Sequence, residues 1–148
     1  MVREVKWEDL DSLLELYLYL HDKKTPDHDD HLKSTWERIL RDDKYHLIVN
    51  EVDGLIVSSC TCIIIPNLTR TVRPYALIEN VVTHADHRNR GYAGECIGYA
   101  KKLAEAENCY KIMLVTGSKD SAIHRFYENC GFDSKDKIAF TLWMNMEY

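Results

Sequence analysis

The sequence predicts a mixed α/β domain in which a central sheet carries helices on its faces. Three observations point there: an element order β-α-α-β-β-β-α-β-α-β, an Asp-Gly hairpin joining two β-rich runs, and a buried strand running straight into a glycine-containing turn and a helix. With 148 residues the chain can bury one sizeable core but does not split comfortably into two, so 1–148 is expected to form one domain.

Val2 to Val5 read as a short strand. Asp9 can cap a helix whose Leu10, Leu13, Leu14, Tyr17 and Leu18 fall on one face, with its end expected near Asp22. Lys23 to Asp27, with Pro26, breaks that pattern, and a second helix then places Leu32, Trp36, Ile39 and Leu40 together. Tyr45–Glu51 and Leu55–Ile65 are strands joined by Val52-Asp53-Gly54, and Pro66 closes the second. Tyr75–Thr83, with Leu77, Ile78, Val81 and Val82, predicts a central, largely buried strand.

Beyond the turn, Ala93, Ile97, Ala100 and Ala104 mark one face of a helix reaching about Glu107, its small residues suited to close packing on a sheet. Lys111–Val115 reads as a further buried strand. Asp120 is placed to cap a helix with Ile123, Phe126, Tyr127 and Cys130 inward, and Gly131 stands where a left-handed cap would end it. Ile138–Met146 is expected to form a last strand.

Composition narrows the function classes. A formal net charge of -5, with basic residues interspersed among acids, argues against a nucleic-acid partner. No apolar run approaches the ~20 residues of a membrane span, and Met1-Val2-Arg3-Glu4-Val5 has no apolar signal core, so a cytoplasmic protein is expected. Cys60, Cys62, Cys96, Cys109 and Cys130 are odd in number, lack a Cys-x-x-Cys pair and suit reduced packing roles. His28 with His31 and His84 with His87 have metal-ligand spacing without a further ligand set, so no metal is expected.

The segment Val81–Gly94 joins strand, turn and helix, the arrangement that offers unpaired backbone N–H groups and the positive end of a helix dipole to an anion. Gly91, Ala93 and Gly94 keep side chains clear, while Arg88 and Arg90 add cationic donors, which suits a diphosphate. A tight turn with exposed arginines would read the same way in isolation.

Arg88-Asn89-Arg90-Gly91-Tyr92-Ala93 matches Arg/Gln-x-x-Gly-x-Gly/Ala, and Ser121–Phe132 repeats the Ala, Phe-Tyr and Gly-Phe spacing of a second signature. On these two motifs, the strand Ile78–Thr83 and the element order, the sequence resembles the GNAT superfamily of acyltransferases. The resemblance implies a central, mostly antiparallel sheet of about six to seven strands, splayed between its two central strands and flanked by about four helices. It further implies acetyl-CoA as cosubstrate, with Val81, Val82 and Thr83 pairing with the pantetheine arm and the amides of Arg90, Gly91, Tyr92, Ala93 and Gly94 cradling the pyrophosphate. Arg88, Asn89, Ser118, Asp120, Ala122, Phe126 and Tyr127 complete the implied cofactor contacts. A narrower resemblance, in Ile78–Val82, Asn108–Ile112 and Phe126–Phe132, is to the glucosamine-6-phosphate N-acetyltransferase branch.

Acetyl transfer to an amine needs a neutral nucleophile, a donor for the developing oxyanion and a proton for the thiolate. Glu79 can take the ammonium proton, although it equally suits pairing with a cation or the backbone. The resemblance assigns the Val82 N–H to the carbonyl oxygen and Tyr127 to the leaving thiolate. Asp27, His28, Asp29 and Asp30 offer an acidic rim for a cationic acceptor, whereas Arg70 and Arg73 would suit an anionic one. The expected activity is therefore acetylation of a small primary amine, an amino sugar or polyamine, in a possible homodimer. The alternatives are an acyl-CoA-binding regulatory module and a protein or peptide N-acetyltransferase.

Overall fold

The computed structural model describes residues 1–145. Up to Leu114 the chain forms one compact unit built on a sheet ordered β1-β2-β3-β4-β5, and a second unit begins at Val115. The strands are β1 (Val2–Glu4), β2 (Tyr45–Val52), β3 (Leu55–Ile65), β4 (Tyr75–Thr83) and β5 (Ile112–Leu114). All neighbours are antiparallel except β4 and β5, which run parallel. The helices are α1 (Leu10–Tyr17), α2 (Asp30–Arg41), α3 (Thr69–Val72), α4 (Tyr92–Ala106) and, in the second unit, α5 (Ser121–Asn129).

Strands β2 and β3 meet at Asp53 and Gly54, both at positive φ (51° and 79°), the twist that a two-residue hairpin requires. One face of the sheet holds α1 and α2: Leu13, Leu16 and Trp36 pack with Leu47, Val49, Ile56 and Val82. Each such side chain, once fully buried, contributes about 1.5–3 kcal/mol. Helix α4 packs on β2, β3 and β4, where the small, buried Ala100 and Ala104 permit close approach.

Several expectations are corrected. Asp9 does not cap α1 with its side chain. It lies in a 3-10 turn, Trp7–Asp9, where its carboxylate accepts from the Lys6 N–H and pairs with Arg3 at 2.6 Å. That guanidinium holds the Asp9 carboxyl below the usual carboxylate range. The real cap is on α2, where the Asp29 carboxylate accepts from the Leu32 N–H at 2.9 Å. Helix α1 also stops at Tyr17, short of Asp22, because Leu18 and Tyr19 are exposed and its inward face ends there.

Five strands and five α-helices are described, against six to seven and about four expected. The extra helix is α3, a four-residue turn in which Arg70, Thr71 and Val72 all have positive φ. The missing strand is Ile138–Met146: residues 138–145 carry no regular structure, Phe140 being 95% exposed, and Met146 lies outside the described residues. Alternating apolar residues do not make a strand until their backbone groups find a partner. Strand β5 is shorter than Lys111–Val115 and only half-buried, and β4 is buried at Ala76 and Ile78 but exposed at Glu79 and Asn80.

All five cysteines are free thiols, and burial pushes Cys62 and Cys96 up to about 12 and Cys60 higher still. Those three buried thiols remain protonated packing groups at neutral pH. No described helix is long and apolar enough to cross a membrane.

Candidate functional site

The parallel pairing of β4 with β5 covers only Ala76 to Ile78, opposite Ile112 to Leu114. From Glu79 to Thr83, β4 keeps β3 as a neighbour and has no strand on its other edge among the described residues. Backbone N–H and C=O groups on such an edge are available to an extended ligand.

A β-bulge marks where the edge opens. Ser59 faces Val82 and Thr61 faces Glu79, so two residues of β4, Asn80 and Val81, oppose one residue of β3. Asn80 takes a left-handed backbone (φ 51°), which asparagine tolerates better than other residues with a Cβ. Sequence reasoning missed Asn80. Its signal was an asparagine in the middle of a strand-forming run, where β-propensity disfavours it.

Glu79 and Val82 flank the bulge. Glu79 is exposed, on the face that carries α1, while Val82 is 6% exposed within the core of that face. The buried Ser58 hydroxyl donates to the Val82 carbonyl at 2.8 Å and lies 2.9 Å from the Thr83 hydroxyl, which fixes this end of β4.

After Thr83 a 3-10 turn, Ala85–His87, leads to Arg88, Asn89 (φ 61°), Arg90 and Gly91. Gly91 is the N-cap of α4 at φ 85°; a Cβ there would meet nothing within 4 Å, so the backbone conformation and not crowding calls for glycine. The first intrahelical bond runs from the Glu95 N–H to the Gly91 carbonyl, leaving the amides before Glu95 to point out of the helix end. Asn50, fully buried, donates to the Glu95 carboxylate at 2.6 Å and so ties this first turn to β2. An anion at this terminus meets oriented donors and a favourable dipole.

Arg88 is exposed at the rim. Its guanidinium lies over the Tyr19 ring at 5.9 Å and its Nε donates to the Thr83 carbonyl at 3.4 Å. Tyr19 stacks in turn on His84, whose Nδ1 accepts from the Asp86 N–H. With Nδ1 an acceptor, the neutral ring carries its proton on Nε2, which donates to the Tyr19 hydroxyl at 3.2 Å. Arg73 is likewise engaged, donating to the carbonyls of Asn108 and Cys109, each at 3.1 Å, and Arg70 lies over Tyr110. Neither His-x-x-His pair belongs to a cluster of metal-ligating side chains among the described residues.

In the second unit the Asp120 carboxylate accepts from the Ala122 N–H at 2.8 Å, capping α5, and the Ser118 hydroxyl accepts from the Asp120 N–H at 3.2 Å. Phe126 and Tyr127 are partly buried neighbours, their rings 5.1 Å apart, with Phe132 edge-on to Tyr127. Gly131 ends the helix at φ 101°, as its sequence position predicts. Residues Glu79 to Gly94 are thus described in the first unit and Ser118 to Tyr127 in the second.

The sheet thus has one strand interrupted by a bulge, and the stretch of that strand without a described second neighbour leads into the N-terminus of α4. Residues 7–132 match the model of the acetyltransferase (GNAT) family, and the chain belongs to that family. It is 28% identical over 152 aligned positions to an uncharacterized N-acetyltransferase of Methanocaldococcus jannaschii, covering 98% of this chain and 65% of that protein. It is 31% identical over 84 residues to the glucosamine 6-phosphate N-acetyltransferase of Trypanosoma brucei brucei, covering 57% of this chain and 55% of that one. The chain therefore spans less than two thirds of the length of these curated relatives. A solved structure from Agrobacterium tumefaciens str. C58, described as an acetyltransferase, superposes with a TM-score of 0.90 at 38% identity, covering 97% of this chain and 99% of the other.

Proposed function

We propose that this chain transfers the acetyl group of acetyl-CoA to the primary amine of a small molecule, an amino sugar or a polyamine, by direct attack in a ternary complex. The observation that carries this reading is the open β4 edge from Glu79 to Thr83 leading into the Gly91 helix terminus, inside a chain of the GNAT family. Acetyl-CoA matches both parts: its pantetheine amides suit a free strand edge and its pyrophosphate suits the turn.

The Glu79 carboxylate, exposed at the start of the open edge, takes a proton from the acceptor ammonium and leaves a neutral amine. The amine attacks the thioester carbonyl, and the Val82 N–H donates to the oxygen as charge develops. Collapse breaks the C–S bond, and the Tyr127 phenol donates its proton to the departing thiolate. Arg88, Asn89, Arg90, Gly91, Tyr92, Ala93 and Gly94 hold the pyrophosphate end, with Ser118, Asp120, Ala122 and Phe126 as further cofactor contacts. No metal takes part in this reading.

The acceptor is a small amine, with glucosamine 6-phosphate favoured by the likeness to the trypanosomal enzyme. Engagement of Arg73 by two backbone carbonyls weighs toward a cationic amine instead. Thiol release from acetyl-CoA across a panel containing glucosamine 6-phosphate, spermidine and a peptide amine tests the reading. Turnover with a small amine is expected, whereas turnover only with the peptide overturns the acceptor class. Tight acetyl-CoA binding without turnover across the panel would favour a binding module.

A further inference from the structure

The first turn of α4 carries an acid where an anion is to bind. Glu95 stands in the turn whose unpaired amides face out of the helix end, a place where a carboxylate ordinarily caps those amides and repels a second negative charge. Instead its Oε2 accepts from the Asn50 Nδ2 of β2 at 2.6 Å.

Asn50 is fully buried, paired with Val2 of β1 and Ser58 of β3. Its Nδ2 also donates to the Tyr92 carbonyl at 3.4 Å, and its Oδ1 accepts from the Met1 nitrogen at 3.2 Å, so both ends of the amide are engaged. A buried amide inside a sheet is costly unless such bonds are made. The row continues from Asn50 through Ser58 to Thr83, whose hydroxyl lies 2.9 Å from that of Ser58. One line of polar residues therefore runs from the Glu95 contact to the last residue of the open β4 edge.

We infer that Asn50 is a positioning residue for the cofactor turn: by holding the Glu95 carboxylate against β2, it keeps an internal anion off the α4 terminus and leaves that terminus to the pyrophosphate. This rests on the reading that the pyrophosphate binds at Gly91. Two negative groups compete there for one set of amides. Without the Asn50 donor, Glu95 turns back toward the amides of Tyr92, Ala93 and Gly94, and only the fraction of molecules with a clear terminus binds acetyl-CoA. Asn50 itself is buried away from the reacting atoms, so the chemical step is unaffected.

The test separates a competing carboxylate from a distorted turn. Asn50→Leu fills a similar volume without the donor. It is expected to weaken acetyl-CoA binding, followed by calorimetry, about tenfold and to raise the KM to match, with kcat unchanged. Glu95→Gln alone changes little, yet in the Asn50→Leu background it restores the original affinity. An equal loss in both backgrounds means that Asn50 shapes the turn without involving Glu95 and overturns the inference, as does a fall in kcat at unchanged KM. Gly91→Ala controls for the underlying reading. If it weakens acetyl-CoA binding and Asn50→Leu does not, the inference alone falls; if neither does, the pyrophosphate lies elsewhere and both fall. Should Asn50→Leu fail to fold, the contact is read in Glu95→Ala, a change at an exposed position. The 15N–H resonances of the Asn50 side-chain amide are expected to shift, and unmoved resonances overturn the inference.

Discussion

The two halves of β4 differ by a single event. Ala76 to Ile78 are hydrogen-bonded between β3 and β5, whereas Glu79 to Thr83 have β3 on one side and, among the described residues, no strand on the other. Both halves come from one run of strand-forming residues, and the change occurs where Asn80 adopts a left-handed backbone and puts a bulge in the ladder. A central strand can thus supply core packing at one end and a binding edge at the other. The cost is one strained residue, of order 1–3 kcal/mol.

If the open half is the functional one, damage there should cost activity out of proportion to stability. Glu79→Gln, which keeps the shape of an exposed side chain, is expected to lower kcat by about 10²- to 10³-fold with little change in melting temperature. Wild-type turnover in this variant would return Glu79 to a merely solvated surface role. Tyr127→Phe, in the second unit, should reduce kcat by about 10²-fold while acetyl-CoA binding, followed by calorimetry, stays intact.

A branched residue at the bulge sharpens the same contrast. Asn80→Val forces a β-branched side chain into the left-handed region and should cost about 1–2 kcal/mol in denaturant unfolding together with most of the activity, whereas Asn80→Gly should retain both. Equal behaviour of the two variants would mean that the bulge does not depend on this residue. Gly91→Ala comes next. Its loss, about 1 kcal/mol, arises from φ 85° and not from a clash, and should appear chiefly as a raised KM for acetyl-CoA. The smallest effect belongs to Asp120→Ala, which removes the α5 cap and should lower stability by about 1 kcal/mol.

Much of this was legible in the sequence. Asp53-Gly54 and Gly131 each announced a backbone conformation that the chain adopts, and the apolar spacing named Leu13 of α1, Trp36 of α2 and Ile97, Ala100 and Ala104 of α4, which are buried, while it missed Leu16 and included the exposed Leu18. What escaped was decided by pairing. The run Tyr75–Thr83 reads as largely buried because sequence does not reveal where a neighbouring strand stops. Ile138 to Asn145 alternates like a strand, yet alternation states only which face would be apolar, not which edge would receive it. Asp9 was read as a cap because its rival partner, Arg3, is adjacent only after β1 and the 3-10 turn have folded together. Thr61 gave no sign in the sequence of standing opposite Glu79, since that adjacency comes from the register between β3 and β4.

The most direct test of the open edge is an amide chemical-shift titration of the 15N-labelled protein with acetyl-CoA. The account predicts the largest perturbations at Val81, Val82 and Thr83 and from Arg90 to Gly94, with Ala76 to Ile78 nearly unmoved. Perturbations spread evenly along β4, or absent from its second half, would contradict it.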